Sequence, residues 1–155
     1  MRPHPAEDLP DRLLVFDGVC VFCAHWVRFV LARDRAQRWR FAAIQEPFGR
    51  AVAARFGIDA DAATTNVVVR DGVAHFRSDA ALAVLSDMPG WGFARHLRLV
   101  PRALRDAVYD LVAKHRYRWF GRTETCLVPT PEVRARFITT LPASHAAPAP
   151  SPPSA

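Results

Sequence analysis

The run Leu13-Leu14-Val15-Phe16-Asp17-Gly18-Val19-Cys20-Val21-Phe22-Cys23 constrains this chain more than any other stretch. Four apolar residues of strand length end at an Asp-Gly bend, and a pair of cysteines separated by two residues follows where a helix begins. A strand that feeds a helix through a short turn opens a βα unit and commits the chain to an α/β architecture. The cysteines add chemistry to that junction. Two thiols at this spacing close a small disulfide ring, and a helix N-terminus favours a thiolate on the first of them.

The chain has 155 residues, 50% of them hydrophobic, which suits one domain with a core of ordinary size. No apolar stretch approaches the roughly 18–20 residues of a membrane helix, and Met1-Arg2-Pro3-His4-Pro5-Ala6-Glu7-Asp8 lacks the apolar segment of a signal peptide. A cytoplasmic location and no membrane partner are therefore expected. Only 3 cysteines argue against a secreted disulfide framework and leave redox or metal roles open. The net charge of +6 comes from a chain that uses Arg almost to the exclusion of Lys and is rich in Ala and Pro. That composition reflects coding bias as readily as electrostatic design, so no nucleic-acid partner is expected.

Polar, Pro-containing residues 1–11 and the Pro/Ala/Ser stretch 142–155 are expected to be disordered, leaving one domain over 12–141. Within it, Leu13 to Phe16 reads as a strand and Cys20 to Arg33 as a helix apolar on most sides. Trp39 to Ile44 is a second strand, and Pro47 to Phe56 a helix ended by Gly57. Thr64 to Val69 and Val73 to Phe76 form a hairpin about Asp71-Gly72, and Ser78 or Asp79 caps a helix that stops before Pro89. The order β-α-β-α-β-β-α is the thioredoxin pattern, a mixed sheet flanked by helices. A helical extension over about 91–141 holds Trp91 to Leu99, a helix from Pro101 to Lys114, a basic aromatic segment from Lys114 to Arg122, and a helix from Pro131 to Leu141.

Two stretches carry a likeness. Phe16-Asp17-Gly18-Val19-Cys20-Val21-Phe22-Cys23 and Arg116-Tyr117-Arg118-Trp119-Phe120-Gly121-Arg122-Thr123-Glu124-Thr125-Cys126-Leu127-Val128-Pro129 resemble the DCC family of thiol-disulfide oxidoreductases, and Ser78-Asp79-Ala80-Ala81 is similar to that family too. The resemblance covers roughly Leu13 to Leu141 and implies a thioredoxin-like fold with disulfide oxidoreductase activity. It also implies that the basic aromatic segment folds back over the thiols, where its arginines, Arg116, Arg118 and Arg122, would lower the Cys20 pKa or select acidic substrates. The chain departs from thioredoxin proper in two places. Asp61-Ala62-Ala63-Thr64-Thr65-Asn66 offers no proline before the third strand, and Val21-Phe22 between the cysteines is apolar.

Cys20, nearer the helix start, is the expected nucleophile, and Cys23, one turn on, the expected resolving thiol. Asp17 either anchors the turn or takes a proton from Cys23. Gly18 supplies a positive φ or a close backbone approach, and with Val19, Val21 and Phe22 it forms the surface a substrate would meet. An Asp-Gly pair after a strand also suggests haloacid dehalogenase phosphatases, but the position of their nucleophilic Asp is Val15 here. Cys126 is a third thiol, a metal ligand or a small core residue. With His25 it would complete a zinc set on paper, although His25 stands on the wrong side of a helix from the sulfurs. The expected partner is a protein or low-molecular-weight thiol or disulfide, met by a monomer without cofactor or metal. A non-catalytic binding module docking through Val19, Val21 and Phe22, and a zinc-stabilised interaction domain, are the rival readings.

Overall fold

The structure is a computed structural model that describes residues 4–62, 65–121 and 131–139. After a short strand β1 (His4–Pro5) comes the strand Leu13–Phe16 (β2), apolar at every position and buried at every position. Successive side chains of a strand point to opposite faces, so an unbroken apolar run requires that both faces be covered. Both are. Leu13 and Val15 join Val52, Ile58 and Phe76 in one cluster, while Leu14 and Phe16 join Val27, Val30 and Val84 in the other.

From β2 the chain enters α1 (Val21–Arg33), returns as β3 (Arg40–Ala43) parallel to β2, and crosses the opposite face as α2 (Pro47–Arg55). The hairpin β4 (Val67–Arg70) and β5 (Val73–Phe76) then docks on the other side of β2, with β4 antiparallel to it. Helix α3 (Arg77–Ser86) lies beside α1 on the face that carries the cysteines. A 3-10 helix, Gly92–Leu99, leads into α4 (Arg102–Phe120), which packs across α3 and α1, and α5 (Pro131–Arg134) follows. This is the thioredoxin-like mixed sheet, with flanking helices and a helical C-terminal extension. No helix among the described residues is long and apolar enough to cross a membrane.

Several boundaries differ from expectation. The disorder expected through residue 11 gives way at His4–Pro5, a strand β1 that pairs with β5 and makes the sheet order β1-β5-β4-β2-β3. Ala6 behind it is fully buried and its N–H donates to the Gly72 carbonyl at 2.8 Å. A two-residue strand containing a proline has no period to read, and it is tolerated because it lies at the edge. The other edge is covered as well: Phe41 N–H donates to the Arg136 carbonyl at 3.0 Å and Ile138 N–H to the Phe41 carbonyl at 2.8 Å, which shields β3 from further pairing.

Neither Ser78 nor Asp79 caps α3, which starts at Arg77. Ser78 instead donates to Asp106 at 2.5 Å, and Asp79 pairs with Arg102 at 2.9 Å and Arg105 at 2.8 Å, tying α3 to α4. Helix α4 continues six residues past Lys114, so the basic aromatic segment is its last part up to Phe120. The last helix ends at Arg134 rather than at Leu141. Residues 142–155 lie outside the described residues.

Candidate active site

Cys20 is the residue immediately before α1. Its backbone is extended, and its Sγ accepts the N–H of Cys23 at 3.3 Å, the place a Ser or Asp oxygen takes in an ordinary N-cap. Cys23 then follows one turn into the helix, and both thiols are free and buried. The consequence is a division of labour. Hydrogen bonds from the Cys23 thiol and backbone N–H, assisted by the Arg116 guanidinium, outweigh burial and lower the Cys20 thiol from 9.0 to about 7. Cys23 moves the opposite way, because its hydrogen is held by the Cys20 sulfur and burial and the Cys20 charge both disfavour a second anion.

Asp17, at the end of β2, is 2% exposed. Its Oδ1 accepts the Val19 N–H at 3.1 Å and the Gln45 side-chain amide at 2.7 Å, while Oδ2 accepts Arg116 Nη2 at 3.2 Å and the Tyr117 hydroxyl. Gln45 also accepts the Gly18 N–H at 2.9 Å. Of the two roles expected of Asp17, this geometry supplies the turn anchor. Gly18 is buried and is not among the residues with positive φ, so of its two expected roles the positive φ is corrected.

The end of α4 lies over the start of α1. Val21 N–H donates to the Gly121 carbonyl at 3.4 Å, and the rings of Phe22 and Phe120 meet at 5.0 Å. Helical phase decides which arginine arrives there: Arg116 is buried against Asp17, whereas Arg118, half a turn round, is exposed. Val19 and Val21 are half-buried and Phe22 is exposed beside the pair. Arg122 and Cys126 lie outside the described residues. His25 is exposed on α1, and no group of three potential metal ligands comes together among the described residues.

Below the pair, between α1, α3 and α4, opens a cavity of about 590 Å³. Cys23, Phe22 and Trp26 line it from α1, and Tyr109, whose hydroxyl accepts the Asn66 N–H at 3.2 Å, from α4. Burial raises the Tyr109 pKa, so the phenol stays neutral. Gln45, Tyr117 and Tyr109 are the site residues that sequence reasoning did not single out, whereas Arg116 was among the arginines expected over the thiols. Arg116 and Tyr117 sat inside the motif, but only the helical phase of α4 shows that they face Asp17.

The paired thiols therefore stand at the head of the first helix of a thioredoxin-like sheet. Residues 14–122 match the model of the DCC1-like thiol-disulfide oxidoreductases, and the chain belongs to that family. It is 34% identical over 134 residues to the uncharacterised protein YuxK of Bacillus subtilis, which covers 86% of this chain and 98% of that one. It is also 34% identical over 122 residues to the DCC family protein At1g52590, chloroplastic, of Arabidopsis thaliana, covering 77% of this chain and 71% of the relative. No solved structure matches the chain significantly.

Proposed function

We propose that this protein is a thiol-disulfide oxidoreductase that exchanges with protein or low-molecular-weight disulfides through Cys20 and Cys23, as a monomer in the cytoplasm. The observation that carries the reading is the Cys20 sulfur at the head of α1, accepting the Cys23 N–H at 3.3 Å and lowered to about 7. Near neutral pH a large fraction is thiolate, and a thiolate of that basicity both attacks and leaves well.

In the reducing direction the Cys20 thiolate attacks one sulfur of the substrate disulfide and expels the other as a thiolate. The Cys20 charge that held the Cys23 proton is gone once the mixed disulfide forms, so the main cause of the high Cys23 pKa is removed at that step. Cys23 then loses its proton to solvent or to the departing sulfur and attacks Cys20 Sγ, which releases the second substrate thiol. Two electrons have passed to the substrate, and Cys20 and Cys23 are joined. No cofactor enters this scheme. Asp17 is a positioning residue that fixes the Gly18-Val19 bend and docks Arg116 beside the thiols. Cys20 is fully buried, so the side chains over it must move before a substrate sulfur reaches it.

Dithiothreitol-driven reduction of insulin checks this. Cys20→Ser and Cys23→Ser are both expected to lose turnover, and Cys23→Ser to accumulate a mixed disulfide on Cys20. Undiminished turnover by Cys20→Ser contradicts the reading.

A further inference from the structure

Only one of the two thiols faces the cavity: Cys23 lines it and Cys20 does not. At about 590 Å³ it falls within the size of small-molecule sites, about 300–1,000 Å³. Leu82 and Leu85 of α3 and Val108 and Val112 of α4 give it apolar walls. Its charged lining residues, among those described, are Arg77, Arg105 and Arg116, with no carboxylate. Arg105 and Arg116 are committed to the carboxylates of half-buried Asp79 and buried Asp17, at 2.8 and 3.2 Å. Arg77 differs. Its ion pair, with Asp110 at 3.2 Å, is solvent-exposed on both sides, and such a pair holds a guanidinium weakly. Arg77 also stands at a left-handed φ of 54°, a conformation uncommon for a side-chain-bearing residue, with its N–H donated to Thr65 Oγ1 at 3.0 Å.

We propose that this cavity binds a low-molecular-weight dithiol or disulfide with an aliphatic body and one carboxylate, that Arg77 takes the carboxylate, and that exchange with the protein occurs at Cys23 Sγ. This rests on the oxidoreductase reading and adds to it a substrate class and a second point of entry. With the pair oxidised, a ligand thiolate, its proton lost to solvent, attacks Cys23 Sγ. The Cys20–Cys23 bond breaks and Cys20 departs as a thiolate. The departing Cys20 thiolate keeps the Cys23 N–H and the Arg116 charge beside it, which favours attack on the sulfur that the cavity presents. The second ligand thiol then attacks the ligand sulfur of the mixed disulfide, closing the ligand's own disulfide, and its proton goes to Cys23. Two electrons have moved from the ligand dithiol to the pair.

The test uses the full chain with its pair oxidised and ω-mercaptooctanoate, a monothiol that halts after the first step, followed by iodoacetamide. Fragment-ion mass spectrometry should find mercaptooctanoate on Cys23 and the alkyl group on Cys20, with a rate that saturates and is slowed by octanoate. Mercaptooctanol, which lacks the carboxylate, and the Arg77→Gln variant with mercaptooctanoate should each react about tenfold more slowly, the size of one charge-assisted hydrogen bond. Mercaptoethanol should react alike with wild type and Arg77→Gln. An adduct on Cys20, an unsaturable rate, or indifference to octanoate and to Arg77→Gln overturns the proposal. If mercaptoethanol reduces the pair under those same results, the oxidoreductase reading survives; a pair that never closes a disulfide overturns both.

Discussion

At Cys20 the charge state is set chiefly by Cys23, one helical turn on, and to a smaller extent by Arg116 of α4. A thiol lowered to about 7 alkylates at a rate that rises through that pH and then levels, because the thiolate fraction is complete above it. The hydrogen bond from the Cys23 thiol is the largest lowering influence and the Arg116 charge a smaller one. Cys23→Ala is therefore expected to move the inflection of the iodoacetamide rate upward, and Arg116→Gln to move it upward by less. Equal shifts, or no shift in Cys23→Ala, contradict this ordering. The cysteine pair was legible in the sequence because its chemistry depends on spacing and a helix start, both of which are local. Gln45 was not, since it reaches Asp17 across 28 positions of chain, and Arg116 could not be told from Arg118 without the phase of α4 against α1.

The elements were legible in proportion to their apolar pattern. Leu13–Phe16 and Val73–Phe76 stand where the sequence places them, because a buried strand announces itself by unbroken or alternating apolar residues. The start of α3 misled: Ser78 and Asp79 are good capping residues, but their side chains are taken up by Asp106, Arg102 and Arg105, tertiary partners invisible locally. On the face of the sheet away from the thiols, Gly49 of α2 is held so close to β3 that an added Cβ would lie 2.1 Å from the Ala43 carbonyl oxygen. Gly49→Ala must push the helix off the sheet, and overpacking of this kind costs about 1–3 kcal/mol. The expected result is a lower denaturation midpoint with the Cys20 alkylation inflection unchanged, since α2 and the thiols lie on opposite faces. Wild-type stability in Gly49→Ala would show that this approach is looser than drawn.

For the molecule as a whole, the element order was enough to give the sheet, because a βαβ unit followed by a hairpin leaves few ways to cover both faces of an apolar strand. What the order does not contain is the return of α4. In the sequence that helix is one element of the extension, ending at Lys114, yet it brings Arg116 and Tyr117 to Asp17, seats Phe120 on Phe22, and forms one wall of the cavity beside Cys23. It keeps Leu104, Val108 and Leu111 more than half exposed while doing so. Sheet, first helix and extension thus meet at the one cysteine pair of the described residues, and the proposed function requires Cys20 and Cys23 to act as a two-electron couple. The direct measurement is a glutathione redox titration of the full chain, with thiols trapped by alkylation and the peptides of Cys20, Cys23 and Cys126 read by mass spectrometry. One two-electron transition is expected, in which Cys20 and Cys23 are lost and regained together; a pair that stays as two free thiols across the whole range, or that oxidises only singly, contradicts the proposed function.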